Sequence, residues 1–342
     1  MNGKEAAKAA YGMENKISKN KTEGGVPMIQ IEGLTKRYGS LCALDGLTLE
    51  IGRGEVIGLL GPNGAGKSTA MNILTGYLSA TSGRALIDGI DIFEDPKEAK
   101  KKIGYLPEQP PLYPDMTVEE YLNFTYDLKG CALDRAAHLE DIMRATRIYE
   151  VRGRLIRNLS KGYKQRVGMA QALVGDPPVL IFDEPTVGLD PKQIIEIRSL
   201  LRSLGKRHTV ILSTHILSEV QAVCERVVIL DHGHLLVNER TEILSQTLTD
   251  RPRYRYIIDG NKKEVLSALR EGAGIAKADA FASGGPDGEE ILIEGDRGVD
   301  VRRAVFRICA KHGWPILSLQ GVGMDIEDIF LRLVDRDEKT KK

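Results

Sequence analysis

The sequence predicts an α/β protein in which a parallel β-sheet forms the core and a smaller α+β module follows it. Apolar runs at residues 56–60, 179–182 and 209–213 are typical of strands buried on both faces of a parallel sheet. A helical pattern at Pro191–Leu204 connects the last two runs, and a glycine-rich loop follows the first. From residue 251 onward, shorter strand-like and helix-like segments indicate a second module.

Two further regions are predicted around this core. Residues 28–32 and 43–51 alternate between apolar and polar, with Tyr38 in the turn between them, and residues 84–91 read as a strand pair, so we expect a small antiparallel sheet. Residues from about 106 to 175 are helix-like and predict an inserted helical subdomain. A hairpin is expected from two short strands, at residues 227–230 and 235–238.

The second module is predicted to have a ferredoxin-like topology. Its strand-like and helix-like segments lie at residues 254–258, 262–271, 290–294, 300–312 and 316–320, followed by an amphipathic stretch at 326–334. We therefore divide the chain into a disordered tail (1–26), a first domain (27–248), an accessory α+β domain (249–335) and a polar tail (336–342).

Composition narrows the class of protein. The 342 residues include 48 basic and 48 acidic side chains, so no net charge marks a general binder of nucleic acid. The four cysteines lie far apart, which predicts neither disulfides nor a zinc site. No apolar run approaches the ~20 residues that span a bilayer, so we expect a cytoplasmic protein. If it works at a membrane, a partner must anchor it there.

The strongest local signal is the nonapeptide that follows the first apolar run. Its glycines let the backbone curl at positive φ and turn N–H groups toward an anion, and the next helix adds its positive dipole end. Lys67 is placed to reach the β- and γ-phosphates, and the Ser68 hydroxyl to bind Mg²⁺. A turn without a ligand would not need three glycines in register with Gly-Lys-Ser-Thr. The predicted nucleotide contacts are Gly61, Pro62, Asn63, Gly64, Ala65, Gly66, Lys67, Ser68 and Thr69.

Two carboxylates, Asp183 and Glu184, end the second apolar run. Because a strand buried on both faces is rigid, its end is held beside the phosphate loop. Asp183 is predicted to hold the Mg²⁺ shell, and Glu184 to orient and deprotonate the attacking water. The alternative, a buried strand capped by a surface acidic pair, is disfavoured by the loop upstream.

A third motif, Leu-Ser-Lys-Gly-Tyr-Lys-Gln-Arg, lies at residues 159–166. With the two motifs above, it makes residues 28–245 or so resemble the ATP-binding cassette (ABC) ATPases. The octapeptide resembles the family signature Leu-Ser-Gly-Gly-Gln. The resemblance implies a RecA-like parallel sheet with an antiparallel β subdomain and an inserted helical subdomain, and ATP hydrolysis with Mg²⁺. It also implies that Ser160 and Gly162 close over ATP held by a second subunit, in a homodimer or a dimer with a similar chain. Lys161 and Tyr163 depart from the pattern. The lysine either adds charge near the phosphate or faces solvent, and we favour solvent.

Further matches assign other residues by the same resemblance. Asp190, in Gly-Leu-Asp-Pro, resembles the residue of the loop that crosses the dimer interface. His215 resembles the histidine that contacts the γ-phosphate and the attacking water, and Tyr38 the aromatic residue that stacks on adenine. Glu108 and Gln109 fall in the segment that resembles the glutamine loop, where either side chain offers an oxygen to the metal.

A transport role follows from two other resemblances. Residues 105–117 and the variant signature are similar to cassettes of bacterial exporters that serve separate permease subunits, including the gliding-motility and multidrug types. Residues 324–330 resemble a sequence that recurs near the C-terminus of such subunits. The resemblance implies a membrane-associated ATPase on the inner face of the cell membrane, with a permease as partner and no nucleic acid. The rival interpretation is a soluble ABC ATPase acting on ribosomes or nucleic acid, but residues 69–159 lack the sustained heptads of the DNA-acting members.

Overall fold

The computed structural model describes residues 26–242, 252–280, 288–296 and 298–322. Among them, residues 26–59, 63–213 and 230–236 form one compact unit, and residues 60–62, 214–229 and those from 237 on form a second. The predicted domain boundary at 248/249, both predicted tails except Val26, and the amphipathic stretch 326–334 lie outside the described residues. These assignments stay predictions.

The elements of the cassette region alternate in the manner of an α/β fold. Its strands are β1 (Ile29–Tyr38), β2 (Leu41–Ile51), β3 (Val56–Leu60), β4 (Ser82–Ile87), β5 (Ile90–Asp91), β6 (Ile103–Leu106), β7 (Val179–Asp183), β8 (Thr209–Thr214), β9 (Arg226–Asp231) and β10 (His234–Arg240). Its helices are α1 (Lys67–Leu74), α2 (Pro96–Lys101), α3 (Val118–Leu128), α4 (Arg135–Ala145), α5 (Lys161–Leu173), α6 (Pro191–Leu204) and α7 (Leu217–Val223).

The predicted antiparallel sheet is present, with the strand order β2-β1-β4-β5. Strand β1 is longer than the sequence predicts, because a bulge after Ile31 interrupts the alternation of apolar and polar residues while the strand continues. Gly33 in the bulge has a φ of +56°. Tyr38 is therefore the last residue of β1 and pairs with Leu41, and its predicted placement in the turn is wrong.

The parallel sheet is also confirmed. Strands β6, β7 and β8 lie side by side in parallel, and β3 lies next to β8. Every residue of β3, β7 and β8 is buried, as the apolar runs predict. Strand β6, which no apolar run indicates, is closely covered by α5, because a Cβ on Gly104 would lie 2.2 Å from the carbonyl oxygen of Ala172.

Two other predictions for this region agree with the structure. Strands β9 and β10 are neighbours joined through His232 and Gly233, which both have positive φ, as a tight hairpin turn requires. Helices α3, α4 and α5 lie within the predicted helical range 106–175. Thr117 begins α3 with a capping box, because its side chain accepts from the Glu120 N–H and Glu120 accepts from the Thr117 N–H.

The module from residue 252 has the predicted ferredoxin-like topology. Its elements are β11 (Arg253–Ile258), α8 (Lys262–Arg270), β12 (Ile275–Ala280), β13 (Glu289–Gly295), α9 (Val301–His312) and β14 (Ile316–Gly321). The strand order β12-β13-β11-β14 is antiparallel throughout. Its buried core includes Tyr256, Ile258, Ile291, Ile293 and Val305. No helix of the described residues is long and apolar enough to cross a membrane.

Candidate active site

The glycine-rich loop lies between β3 and α1, and its backbone passes close to other main-chain segments. Gly66, the N-cap of α1, has a φ of +103°, and a Cβ there would lie 2.6 Å from the carbonyl oxygen of Ala43. The carbonyl oxygen of Ala65 accepts from the Gly233 N–H at 3.0 Å. Only glycine combines that φ with that approach, so the residue type at 66 follows from the geometry.

Lys67 is the first residue of α1 and only 7% exposed. Burial lowers the pKa of its ammonium, and the carboxylates of Glu184 and Asp183 oppose that lowering. The two carboxylates are thus close enough to act on Lys67 electrostatically. Ser68, next in the helix, is exposed and Thr69 is half-buried, so polar oxygens beside Lys67 remain accessible.

Asp183 ends β7 and is 7% exposed. It lies opposite Ser213 in the parallel register of β7 and β8. Burial raises the pKa of Asp183, and the charges of Glu184 and Glu108 add to that effect. The Ser213 hydroxyl and the Lys67 charge lower it, without reversing the net rise. The oxygen atoms of a carboxylate at this strand end are ligands that a hard cation prefers.

The glutamine-loop alternatives follow the end of β6. Glu108 and Gln109 are both exposed, and the carboxylate of Glu108 is near enough to raise the pKa of Asp183. Strand β6 pairs with β7 so that Leu106 lies opposite Phe182. The carboxyl ends of these two strands therefore bring Glu108 and Asp183 to one edge of the sheet.

A second group of predicted residues is built on the first turns of α5 and α6. Ser160 is the N-cap of α5 and its hydroxyl accepts from the Tyr163 N–H at 3.4 Å. Asp190 is the N-cap of α6 and its carboxylate accepts from the Gln193 N–H at 2.9 Å. Gly162 is buried beneath the side chain of Gln193. The structure thus brings the signature and the Asp190 loop of one chain together.

The remaining predicted residues lie at strand ends. Tyr38 is 47% exposed, and the Lys36 ammonium lies 5.2 Å from its ring centroid, so its ring is open to a stacking partner. His215 follows β8 and is exposed. The preceding Thr214 fixes this turn, because its hydroxyl donates to Glu219 at 2.9 Å and accepts from the Ile216 N–H at 3.1 Å.

Three features of the site were not anticipated from the sequence. Ser213 lies opposite Asp183 in the register of β7 and β8, which the pairing of two apolar runs in parallel would have indicated. Gln193 covers Gly162, for which no local signal exists. Lys161, expected to face solvent, is exposed, but its chain end extends over Gly188, since a Cβ on that glycine would lie 2.1 Å from the lysine Nζ.

Comparison with known proteins identifies the family. Residues 44–187 match the family model described as ABC transporter. An uncharacterized ABC transporter ATP-binding protein of Bacillus subtilis, YxlF, is 30% identical over 309 residues, which cover 90% of this chain and 99% of that protein. The linearmycin resistance ATP-binding protein LnrL of the same organism is 31% identical over 317 residues, with 90% and 99% coverage. The bacitracin transport ATP-binding protein BcrA of Bacillus licheniformis is 37% identical over 211 residues, with 61% and 68% coverage.

Solved structures lead to the same family. The structure of an ATP-binding subunit of an ABC transporter is 29% identical, with a TM-score of 0.59, and covers 65% of this chain and 93% of its own. The dimeric post-hydrolysis state of the cassette MJ0796, bound to ADP and Pi, is 29% identical with a TM-score of 0.57, and covers 63% and 99%. The buried Lys67, the carboxylates at the end of β7 and the near full-length relatives together show that the chain belongs to the ABC transporter family, as an ATP-binding and ATP-hydrolysing subunit.

Proposed function

We propose that this subunit drives export through a separate permease, by ATP-dependent closure of two cassettes head to tail. The observation that carries the proposal is the placement of the predicted residues on different elements, in two groups. One group, around Lys67, Asp183 and Glu184, is suited to hold and cleave a nucleotide. The other, at the first turn of α5, presents a helix N-terminus with the exposed Ser160 as its cap.

Each residue has a distinct proposed role in hydrolysis. Lys67 binds the β- and γ-phosphates, together with the N–H groups of residues 61–69. Glu184 orients the attacking water and accepts its proton, and His215 contacts the γ-phosphate. Tyr38 stacks on adenine. Ser160 and Gly162 cover the γ-phosphate of the ATP that a second subunit holds, and Asp190 organises the facing signature loop.

Mg²⁺ fits the oxygen donors at this edge of the sheet. Ser68 offers an exposed hydroxyl and Asp183 a buried carboxylate, and Glu108 or Gln109 adds an oxygen from the neighbouring strand end. Mg²⁺ prefers such oxygen ligands and is commonly held by one or two carboxylates together with substrate phosphates. When bound, the ion neutralises charge that develops on the phosphates.

The dimer is proposed to close with ATP and to open after hydrolysis. In this proposal each group on one chain is half of a site, and ATP favours the closed dimer because it contacts both chains. A homodimer or a pair with a similar subunit meets this requirement. The ATP-binding cassette MJ0796 is described as a dimer, and cbiO1 as part of the complex cbiONQ.

Export and a permease partner are supported by the relatives. Proteins named for bacitracin transport, linearmycin resistance and Nod factor export are 31–37% identical to this chain. We infer that the cassette (27–248) lies against the inner face of the membrane on its permease. We propose a regulatory or dimer-stabilising role for the accessory domain (249–335). Unchanged assembly, turnover and transport after its deletion would rule this role out.

Co-purification tests the transport role. The tagged full chain, isolated from solubilised membranes, is expected to carry a polytopic membrane protein in a fixed ratio and to be depleted from ribosome and nucleic-acid fractions. Enrichment with ribosomes or nucleic acid instead would favour the rival function. The Lys67→Ala chain is a useful control, because loss of nucleotide binding should not prevent it from binding the permease.

A further inference from the structure

The signature and the Asp190 loop of the same chain interlock through long side chains that lie over glycines. A Cβ on Gly162 would lie 2.5 Å from Oε1 and 2.6 Å from Cδ of Gln193. On the opposite side of the contact, Lys161 extends over Gly188, whose φ is +70°. Each segment thus packs a long side chain against a glycine of the other segment. A side chain introduced at Gly162 would displace Gln193, and one at Gly188 would displace Lys161.

Gln193 connects two residues of the proposed site. Its backbone N–H donates to Oδ1 of Asp190 at 2.9 Å, which fixes the carboxylate as the N-cap of α6. Its side-chain amide lies against Gly162, in the first turn of α5. Gln193 therefore contacts Gly162 through its side chain and Asp190 through its backbone N–H.

A second contact ties the two helices about one turn further along. The guanidinium of Arg166, which is 7% exposed, forms an ion pair with Glu196 of α6 and donates to the carbonyl oxygen of Thr146 at 3.3 Å. A buried guanidinium is strongly disfavoured without its partner, so α5 and α6 are held together at this level. With this anchor in place, the first turns of both helices have little freedom to move separately.

We propose that Gln193 is a positioning residue, which fixes signature residue Gly162 against Asp190 within one subunit. Closure of a partner subunit's ATP onto the signature then changes the setting of Asp190. The functional consequence rests on the proposed function, because it requires composite sites. The contact itself belongs to the single chain and is tested there.

The contact is tested by thermal unfolding of the nucleotide-free full chain. Gly162→Ala is expected to lower the Tm more in the wild-type background than in the Gln193→Ala background. The two Tm changes should differ by about 2–4 °C. Lys192→Ala is the matched control, because Lys192 is an exposed neighbour in the same turn and should give no such difference. Additive changes at 162 and 193 would overturn the proposal.

Turnover separates positioning from simple packing. Gln193→Ala is expected to lower kcat about tenfold while the KM for ATP changes little, because the phosphate loop is untouched. Gln193→Met has a side chain of similar length and should retain most of kcat, and Lys192→Ala should match wild type. Wild-type kcat in Gln193→Ala, or an equal loss in Gln193→Met, would contradict a role in positioning.

Different experiments would refute the contact between Gln193 and Gly162 and the proposed function. A Glu184→Gln chain that stays monomeric with ATP would remove the composite sites, yet would leave the comparison of Tm changes as it is. Additive Tm changes at residues 162 and 193 would refute that contact, whether or not the chain forms dimers.

Discussion

The backbone N–H of Glu184 donates to the carbonyl oxygen of Ser213 at 2.9 Å, which fixes the residue after β7 to the end of β8. Glu184 also has a φ of +47°. A non-glycine residue in this left-handed region costs about 1–2 kcal/mol, and such strain persists where the surrounding structure imposes it, often at functional sites. We infer that the bond to Ser213 holds the strained backbone of Glu184, the proposed general base, in place.

Glu184→Gln is expected to stop hydrolysis and to retain ATP binding. The amide has nearly the same shape, so the backbone at position 184 and its bond to Ser213 are preserved, but it cannot accept a proton from water. The loss of a general base lowers kcat by about 10²–10⁴-fold. Turnover under saturating ATP measures the loss, and size-exclusion chromatography with ATP should show a trapped dimer. Undiminished turnover, with contaminating ATPases excluded, would refute the assignment.

Mixing two inactive variants tests whether the site is shared between chains. Ser160→Arg blocks the signature and Lys67→Ala removes the phosphate ligand, so each homodimer has two damaged sites. A mixed dimer has both lesions in one site and leaves the other intact. Since half of randomly formed dimers are mixed, recovery of up to about one quarter of wild-type turnover is expected. No recovery, despite demonstrated mixed dimers, would count against catalysis in trans.

Much of the fold was predictable because its strongest elements are fully apolar or strictly periodic. The burial of β7 and β8 and the bounds of α6 follow directly from the sequence. Strand β12 was not among the predicted strands, because its alternation consists of alanines, whose small side chains give a weak signal. The extension of β1 was missed because the bulge breaks the period of two.

The residues of the candidate site likewise include some that the sequence predicts and some that it does not. Lys67, Asp183 and Glu184 are carried by motifs in which residue type and spacing encode the chemistry, and the structure brings them within electrostatic reach of one another. Ser213 and Gln193 are not predicted from the sequence, because their positions in the site depend on strand register and helix packing. Such contacts join residues distant in sequence, and no single segment contains their signal.

Two glycines of the phosphate loop differ in their surroundings, which predicts unequal effects of substitution. Both have positive φ, so alanine is strained at either position, but only a Cβ on Gly66 meets protein atoms, the nearest being Ala43 O at 2.6 Å. Nothing lies within 4 Å of a Cβ on Gly64. Gly66→Ala should therefore lower the free energy of unfolding by about 1–3 kcal/mol more than Gly64→Ala. Urea unfolding of the nucleotide-free chain measures both, and equal losses would contradict the close approach.

Lys129 closes the carboxyl end of the signature helix α5. Its ammonium donates to the carbonyl oxygens of Gln171, Ala172 and Val174 at 3.1, 3.3 and 2.8 Å. The Gln171 carbonyl also accepts from the Val174 N–H at 3.4 Å. The lysine therefore adds a donor to carbonyls at the end of α5, where helical hydrogen bonds run out. Burial lowers the pKa of Lys129 to about 8, from an ordinary value of 10.5.

That shift predicts a pH dependence of stability. Between pH 8 and about 10.5 the unfolded chain keeps the Lys129 proton while the folded chain loses it, so the free energy of unfolding rises with pH, by at most about 1.4 kcal/mol per pH unit. Below pH 8 both states are protonated and this contribution is constant. Lys129→Met should remove that part of the slope, whereas Lys192→Met, at an exposed site, should retain it. Urea unfolding of the three chains at pH 7, 8, 9 and 10 measures the slopes. Equal slopes in wild type and Lys129→Met would mean that the folded protein keeps Lys129 charged through this range, with the three carbonyls offsetting its burial.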